Sequence, residues 1–171
     1  MQAPVLETPR LRLRPLGPDC EAMYLAFFTD ADASHFYGGP LPPKGAWSRL
    51  AADIGTWSLR GFGVWAIERR EDGQLLGTCG FWQAADWPRE LTWWLLPAAR
   101  GAGVAQEASE AVLRQAYGPW GWTEVETYMP DDNLAARRLA LRLGGAVVRR
   151  QHFPDGVARD VLKLPCPPTP A

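Results

Sequence analysis

The stretch Leu95-Leu96-Pro97-Ala98-Ala99-Arg100-Gly101-Ala102-Gly103-Val104-Ala105-Gln106-Glu107-Ala108 decides how the 171-residue chain is read. Ahead of it, Glu90 to Leu96 has the composition of a strand, ended by Pro97. Behind it, Ala105, Ala108, Val112 and Ala116 recur at the spacing of a helix face turned toward a core. Between the two lie Gly101 and Gly103. Glycine lets main-chain amides approach a guest with no side-chain carbon in the way. The first turn of a helix adds N–H groups without partners and the positive end of a dipole, so a pyrophosphate suits the place. Arg100 stands ready for a charge-assisted contact. Many helices also begin after such a turn for steric reasons alone, and the turn by itself leaves both readings open.

Working outward, the upstream half alternates elements. Arg10 to Leu16 follows the two-residue period of a half-buried strand, and Ala22 to Phe28 suits a buried helix. Gly38 to Gly45 is a loop, and a second helix runs from about Ala46 to Leu59, with Trp47, Leu50, Ile54 and Trp57 at helical spacing. Phe62 to Arg69 and Leu75 to Gln83 are strands joined by a turn at Glu71-Asp72-Gly73-Gln74. Downstream, Gly118-Pro119 stops the central helix and Thr123 to Met129 is a short strand. Asn133 caps a last helix whose buried face is Ala136, Leu139, Ala140 and Leu143, and Gly144-Gly145 ends it. Ala146 to Phe153 and Val157 to Leu164 close the chain as a hairpin turning at Pro154-Asp155-Gly156. This order predicts an α/β fold: a central mixed, mostly antiparallel twisted sheet of about seven strands with about four helices on its faces. Residues 1–171 make one domain, with a core from about 6 to 164 and a flexible proline-rich tail over 165–171.

Composition narrows the function. A formal net charge of -1 disfavours nucleic acid as a partner, although Arg137, Arg138, Arg142, Arg149 and Arg150 cluster in sequence. Cys20, Cys79 and Cys166 have no metal-ligand or redox spacing, so no metal is expected and the thiols fit a cytoplasmic protein. There is neither a secretory leader nor an apolar stretch near the roughly 20 residues of a membrane span. A dinucleotide-binding reading fails for want of a third glycine and a following ribose-binding acid. Hydrolase and metalloprotease motifs are absent too.

The segment from Leu95 to Ala108 closely resembles the acetyl-CoA signature of the GNAT superfamily of N-acetyltransferases. Asn133-Leu134-Ala135-Ala136-Arg137-Arg138-Leu139-Ala140-Leu141-Arg142-Leu143-Gly144 is similar to its second motif. The opening Leu6-Glu7-Thr8-Pro9-Arg10-Leu11-Arg12-Leu13-Arg14 and the Asp155-Gly156 hairpin resemble the RimJ/RimL-type branch. The resemblance implies transfer of an acetyl group from acetyl-CoA to a primary amine, of a small molecule or a protein N-terminus, by direct attack in a ternary complex. It implies a monomer or homodimer. The amides of Arg100, Gly101, Ala102, Gly103, Val104 and Ala105 would hold the pyrophosphate. The strands Glu90–Leu96 and Thr123–Met129 would splay, with Leu95 and Leu96 at the thioester end and a donor near Leu95 for the oxyanion. Asn133 would touch the cofactor arm, cap the last helix, or do both. Three positions depart from the pattern. Ala98 stands where glutamine or arginine is common, and Ala140 and Ala136 replace the usual tyrosine or serine proton donors. Tyr128 is the substitute donor. The alternative that these losses suggest is a non-catalytic acyl-CoA-binding or regulatory module on the same fold.

An amine acceptor is mostly protonated at neutral pH and needs a proton sink. Glu90 is the leading candidate. Strand alternation places it on one face with Thr92, Trp94 and Leu96, where aromatic surroundings would raise its pKa. It reads equally as a solvated or arginine-paired strand start. His35 and His152 are secondary bases outside any matched motif. Of nine tryptophans most serve the core. Phe36, Tyr37, Trp82 and Trp94 are the candidate walls of an acceptor pocket.

Overall fold

In the strand β2 (Leu11–Arg14), Leu11 and Leu13 are buried and the arginines between them turn outward. The computed structural model describes residues 3–170. Five strands, β1 (Leu6–Glu7), β2, β3 (Val64–Arg69), β4 (Leu75–Trp82) and β5 (Glu90–Leu95), form one sheet in chain order. Three more, β6 (Val125–Tyr128), β7 (Ala146–His152) and β8 (Ala158–Leu164), form a second in the order β6-β8-β7. Every ladder is antiparallel.

The helices divide between the faces. Helix α4 (Val104–Tyr117) and helix α5 (Leu134–Arg142) cover one side, where Val112, Leu113 and Leu139 pack with Ile67, Phe81, Leu91 and Trp93. Helix α1 (Glu21–Phe28), the one-turn α2 (Ala31–Ser34) and α3 (Pro43–Arg60) lie on the other, where Tyr24, Phe27 and Phe28 enclose Trp94. The Trp94 ring stacks on Phe27 at 4.1 Å and meets Tyr24 edge-on at 5.1 Å. Alternation along β5 accounts for the split: Leu91, Trp93 and Leu95 face α4, and Trp94 faces α1.

Eight strands and five helices among the described residues exceed the expected numbers by one each. The extra strand, β1, is two residues long and too short to show alternation. The extra helix, α2, exists because Asp30 Oδ1 accepts the Ala33 N–H at 2.8 Å, a cap on four residues that have no apolar period. Helix α3 also starts earlier than about Ala46, inside the span read as a loop. Pro43 occupies its first turn, where proline needs no N–H acceptor and brings a helical φ. Residues 165–170 have no regular structure, and Ala171 of the expected tail lies outside the described residues.

The two sheets meet at β5 and β6, which form no ladder. Thr127 Oγ1 donates to the Leu91 carbonyl at 2.8 Å and the Tyr128 hydroxyl to the Pro88 carbonyl at 2.8 Å, so side chains bridge the start of β5. Farther along the strands part. The Leu96 N–H bonds the Leu76 carbonyl at 2.8 Å. Antiparallel bonding recurs every second residue, so the amides of Trp93 and Leu95 point away from β4, into the gap.

The β4–β5 contact that aims these amides depends on Gly77. A β-carbon there would lie 2.1 Å from the Trp94 carbonyl oxygen. Gly77→Ala is expected to cost at least about 1–3 kcal/mol, the usual range for overpacking, seen as a lower urea midpoint. An unchanged midpoint would mean that β4 and β5 do not approach as described.

Candidate active site

Gly101 and Gly103 have φ of 82° and 76°, the left-handed region that costs other residues about 1–2 kcal/mol. Together they turn the chain from β5 into α4. A β-carbon on Gly101 would meet nothing within 4 Å, so the turn is open outward. Among the described residues the main-chain N–H groups of residues 101 to 106 make no hydrogen bond, and the first helical bond is Glu107 N–H to the Gly103 carbonyl. Six successive donors are therefore available to a ligand. The turn is braced from behind: Arg10 Nη1 donates to the Ala102 carbonyl at 2.9 Å, and its Nε to Glu107 at 2.6 Å. Glu107 also accepts from the Thr8 hydroxyl at 2.6 Å. Arg100 Nε reaches the Leu95 carbonyl and Nη2 the Ala33 carbonyl, each at 3.3 Å, which ties the end of β5 to α2.

In front of the turn lies a cleft of about 510 Å³, walled by Gly101, Gly103, Val104, Ala105, Leu95 and Arg100. A second cavity of about 360 Å³ opens beside it over Glu90, Trp82, Trp87, Tyr128, Arg49 and Arg159. Phe36, Tyr37, Trp93, Asn133 and Ala136 line both. A long ligand in the first cleft and a small one in the second would therefore meet where β5 and β6 part. The residues suit a coenzyme whose diphosphate rests on the free amides and whose arm runs along the unpaired edge of β5.

Burial pushes the Glu90 carboxyl up to about 8, against the opposing pull of Arg49, Arg159 and the Tyr128 main-chain N–H. Near neutral pH this group gains and loses a proton readily, as a base for an ammonium acceptor requires. Burial, then the Glu90 charge, raises the hydroxyls of Tyr37 and Tyr128 above the ordinary phenol range. Their hydrogen bonding differs. Tyr128 gives its proton to Pro88, whereas the Tyr37 hydroxyl has no partner among the described residues and borders both cavities.

Most of the sequence-derived site comes together here, with three adjustments. Leu96 is turned away: its N–H belongs to the β4 ladder and it lines neither cavity. Trp94 is sealed beneath the α1 aromatics, 3% exposed, at the edge of the coenzyme cleft and not in the wall of the second cavity. Ala102 faces Arg10, and its residue does not line the cleft. Phe36, Tyr37 and Trp82 are at the second cavity as expected, with Trp87 beside them. Asn133 Oδ1 caps α5 by accepting the Ala136 N–H at 3.2 Å, while its side-chain nitrogen has no partner among the described residues. His35 and His152 are exposed and line neither cavity.

Arg49, Arg159 and Arg142 were not foreseen. Arg49 carried a legible signal, Asp53 four residues on along the same helix. Arg142 lines the coenzyme cleft with no acidic partner among the described residues, the one member of the basic cluster that does so. Of the others, Arg137, Arg149 and Arg150 pair with Asp160, Glu126 and Asp131. No group of three or more His, Cys, Asp or Glu side chains able to hold a metal occurs among the described residues. No described helix is long and apolar enough to cross a membrane.

Comparison with known proteins identifies the family. Residues 10–146 match the family described as Acetyltransferase (GNAT) domain. The chain is 30% identical over 168 residues to the uncharacterized N-acetyltransferase YoaA of Bacillus subtilis (strain 168), covering 92% of this chain and 93% of that one. An acetyltransferase from Agrobacterium tumefaciens str. C58 superposes with a TM-score of 0.84 at 26% identity, covering 95% of each chain. A GnaT-family acetyltransferase from Bordetella pertussis does so with a TM-score of 0.80 at 29% identity, over 95% of this chain and 100% of that one.

The Glu90 environment has a measurable signature. The fold favours the neutral carboxyl, so that contribution is complete below pH 4.5 and is lost as pH rises toward about 8. Glu90→Gln stays neutral throughout. The variant should gain in urea stability relative to the parent between those limits, and a carbon-13 label on Glu90 should titrate near pH 8. A stability difference independent of pH, with a label titrating in the usual carboxylate range, would place Glu90 in ordinary solvent.

Proposed function

The chain belongs to the GNAT acetyltransferase family and is an acyl-CoA-dependent acetyltransferase, and on that premise we propose that it transfers an acetyl group from acetyl-CoA to the primary amine of a small molecule or a protein N-terminus. The amine attacks directly, in a ternary complex. The observation that carries this reading is the junction of the two cavities: six unpaired amides stand at the far end of one and Glu90 stands in the other.

Acetyl-CoA supplies the thioester carbonyl that the amine attacks and the sulfur that leaves. The chain supplies the rest. Amides of Gly101, Gly103, Val104 and Ala105 grip the diphosphate, with Arg100 and Arg142 as neighbouring charges. The Leu95 N–H, directed into the gap, donates to the carbonyl oxygen as negative charge grows there. Glu90 takes the ammonium proton before attack. Asn133 offers its free side-chain nitrogen to the coenzyme arm while it caps α5. The departing sulfur needs a hydrogen-bond donor. Tyr128 is the donor the sequence suggested, but its proton is engaged by Pro88. Tyr37 keeps its proton at working pH and stands at the junction, so it takes that role in this scheme. The opening segment and the Asp155-Gly156 turn favour a RimJ/RimL-type relationship, and the reduced, unpaired cysteines favour the cytoplasm.

Gly103→Glu should abolish coenzyme A binding by calorimetry with little change in circular dichroism, since a carboxylate would occupy the diphosphate position. Retained affinity would refute the placement. Glu90→Gln should lower kcat roughly 10²–10⁴-fold, the span typical of general-base loss, and leave coenzyme affinity alone. In the parent, activity should rise with pH toward about 8 and the variant should lack that limb. Tyr37→Phe should lower kcat more than Tyr128→Phe does, and the reverse order would return the donor role to Tyr128. Coenzyme binding without turnover on any amine would instead favour a sensor.

A further inference from the structure

Arg49 is held in the second cavity in a way that its structural partners do not explain. Its Nε lies 3.3 Å and 3.4 Å from the two carboxylate oxygens of Asp53. Asp53 is 4% exposed and is fixed in turn by the Tyr24 hydroxyl, which donates to it at 2.8 Å. The guanidinium carbon sits 5.4 Å from the Phe28 ring centroid and 6.0 Å from that of Trp82. Pinned at one nitrogen and flanked by two rings, the group has a set orientation. Its Nη1 and Nη2 donate to nothing among the described residues, and the residue lines the cavity that Glu90 lines. The other cation there has its fork occupied: Arg159 Nη1 and Nη2 hold Asp155 through two bonds of 2.9 and 2.6 Å.

The cavity thus presents one carboxyl to receive an ammonium proton and one uncommitted guanidinium fork. A fork of parallel N–H donors matches the paired oxygens of a carboxylate or a phosphate, and in a small cavity that already holds the Glu90 carboxyl and six aromatic side chains the smaller, singly charged carboxylate is the group that fits. At about 360 Å³ the cavity is near the small end of the roughly 300–1,000 Å³ range of ligand pockets, and Phe36, Tyr37, Trp82, Trp87, Trp93 and Tyr128 supply much of the remaining wall. We propose that Arg49 forms a carboxylate subsite, and that the acceptor is a free amino acid with an apolar side chain, its amine at Glu90 and its carboxylate on Arg49. The assignment rests on the acetyl-transfer reading above and narrows it from amines in general to amine–carboxylate pairs. A protein N-terminus, whose first carbonyl is an amide, is the acceptor that this disfavours.

The test compares L-phenylalanine and L-methionine with their carboxamides, following thiol release from acetyl-CoA by the full chain. Arg49→Gln should reduce kcat/KM for the acids roughly 10- to 100-fold, the worth of a charged hydrogen bond, mostly through KM. It should affect the amides less, only through the lost pull on Glu90, which acids and amides share. The acid-to-amide ratio is compared between parent and variant, so the different basicities of the two amines cancel. Arg49→Lys, a point charge without the fork, should recover part of the loss. Arg49→Gln leaves Asp53 buried without its cation, so the doubly changed Arg49→Met, Asp53→Asn chain provides a second route to the same ratio. Calorimetric titration of each acid into protein loaded with coenzyme A separates this proposal from the reading beneath it. Arg49-dependent binding of the acids without turnover would sink acetyl transfer and uphold the subsite. Turnover with an acid-to-amide ratio unaffected by Arg49, or a parent that prefers the amides, would sink the subsite and uphold transfer. Neither binding nor turnover of the acids would overturn the subsite.

Discussion

Two neighbouring strands that decline to pair are the constraint from which the rest follows. Buried main-chain amides nearly always find partners, so an unpaired strand edge inside a domain is costly unless something else satisfies it. Here the edge is opened after two side-chain bridges, Tyr128 to Pro88 and Thr127 to Leu91, and it stays open toward the turn at Gly101 and Gly103. The inward-facing amides of Trp93 and Leu95 and the free N–H groups of residues 101 to 106 form two sets of donors, separated by Leu96, Ala99 and Arg100, whose N–H groups are bonded within the chain. Helix α4 fills the space behind them and directs the positive end of its dipole at the second set.

The acceptor side obeys a different rule. A carboxyl in a cavity walled by tryptophan and tyrosine is poorly solvated, and the two arginines near it only partly offset that loss. The outcome is a group balanced between its protonation states near the pH of a cell. The tyrosines around it respond in the same sense, since neither can ionise cheaply beside a buried carboxylate.

Much of this was legible before the structure. The strand–glycine–helix unit, the faces of α4 and α5, and the closing hairpin follow from periodicity and turn chemistry, and Glu90 followed from its strand. What escaped depended on tertiary context. β1 and α2 are too short to have a period. The division of Trp93, Trp94 and Leu96 among cleft, core and ladder is set by which neighbour each faces, and sequence alternation alone does not say which face is solvent and which is helix. Arg49 is more than ten residues from Phe36, Tyr37 and Gly38 and more than thirty from every other member of its cavity. Its helical pairing with Asp53 was visible, but the direction of the guanidinium was not. Tyr37 stood in the sequence as a pocket wall, and only the commitment of Tyr128 to Pro88 makes its free hydroxyl matter.

The clamp of Arg10 and Thr8 on Glu107 and on the Ala102 carbonyl has a consequence for how the molecule matures. The phosphate-gripping bend is not a self-contained peptide motif, because its rear support comes from a segment made nearly a hundred residues earlier. During synthesis that segment must wait until α4 leaves the ribosome before the bend acquires its final shape. A nascent or half-folded chain would then lack the finished bend, which would arrive together with the first sheet.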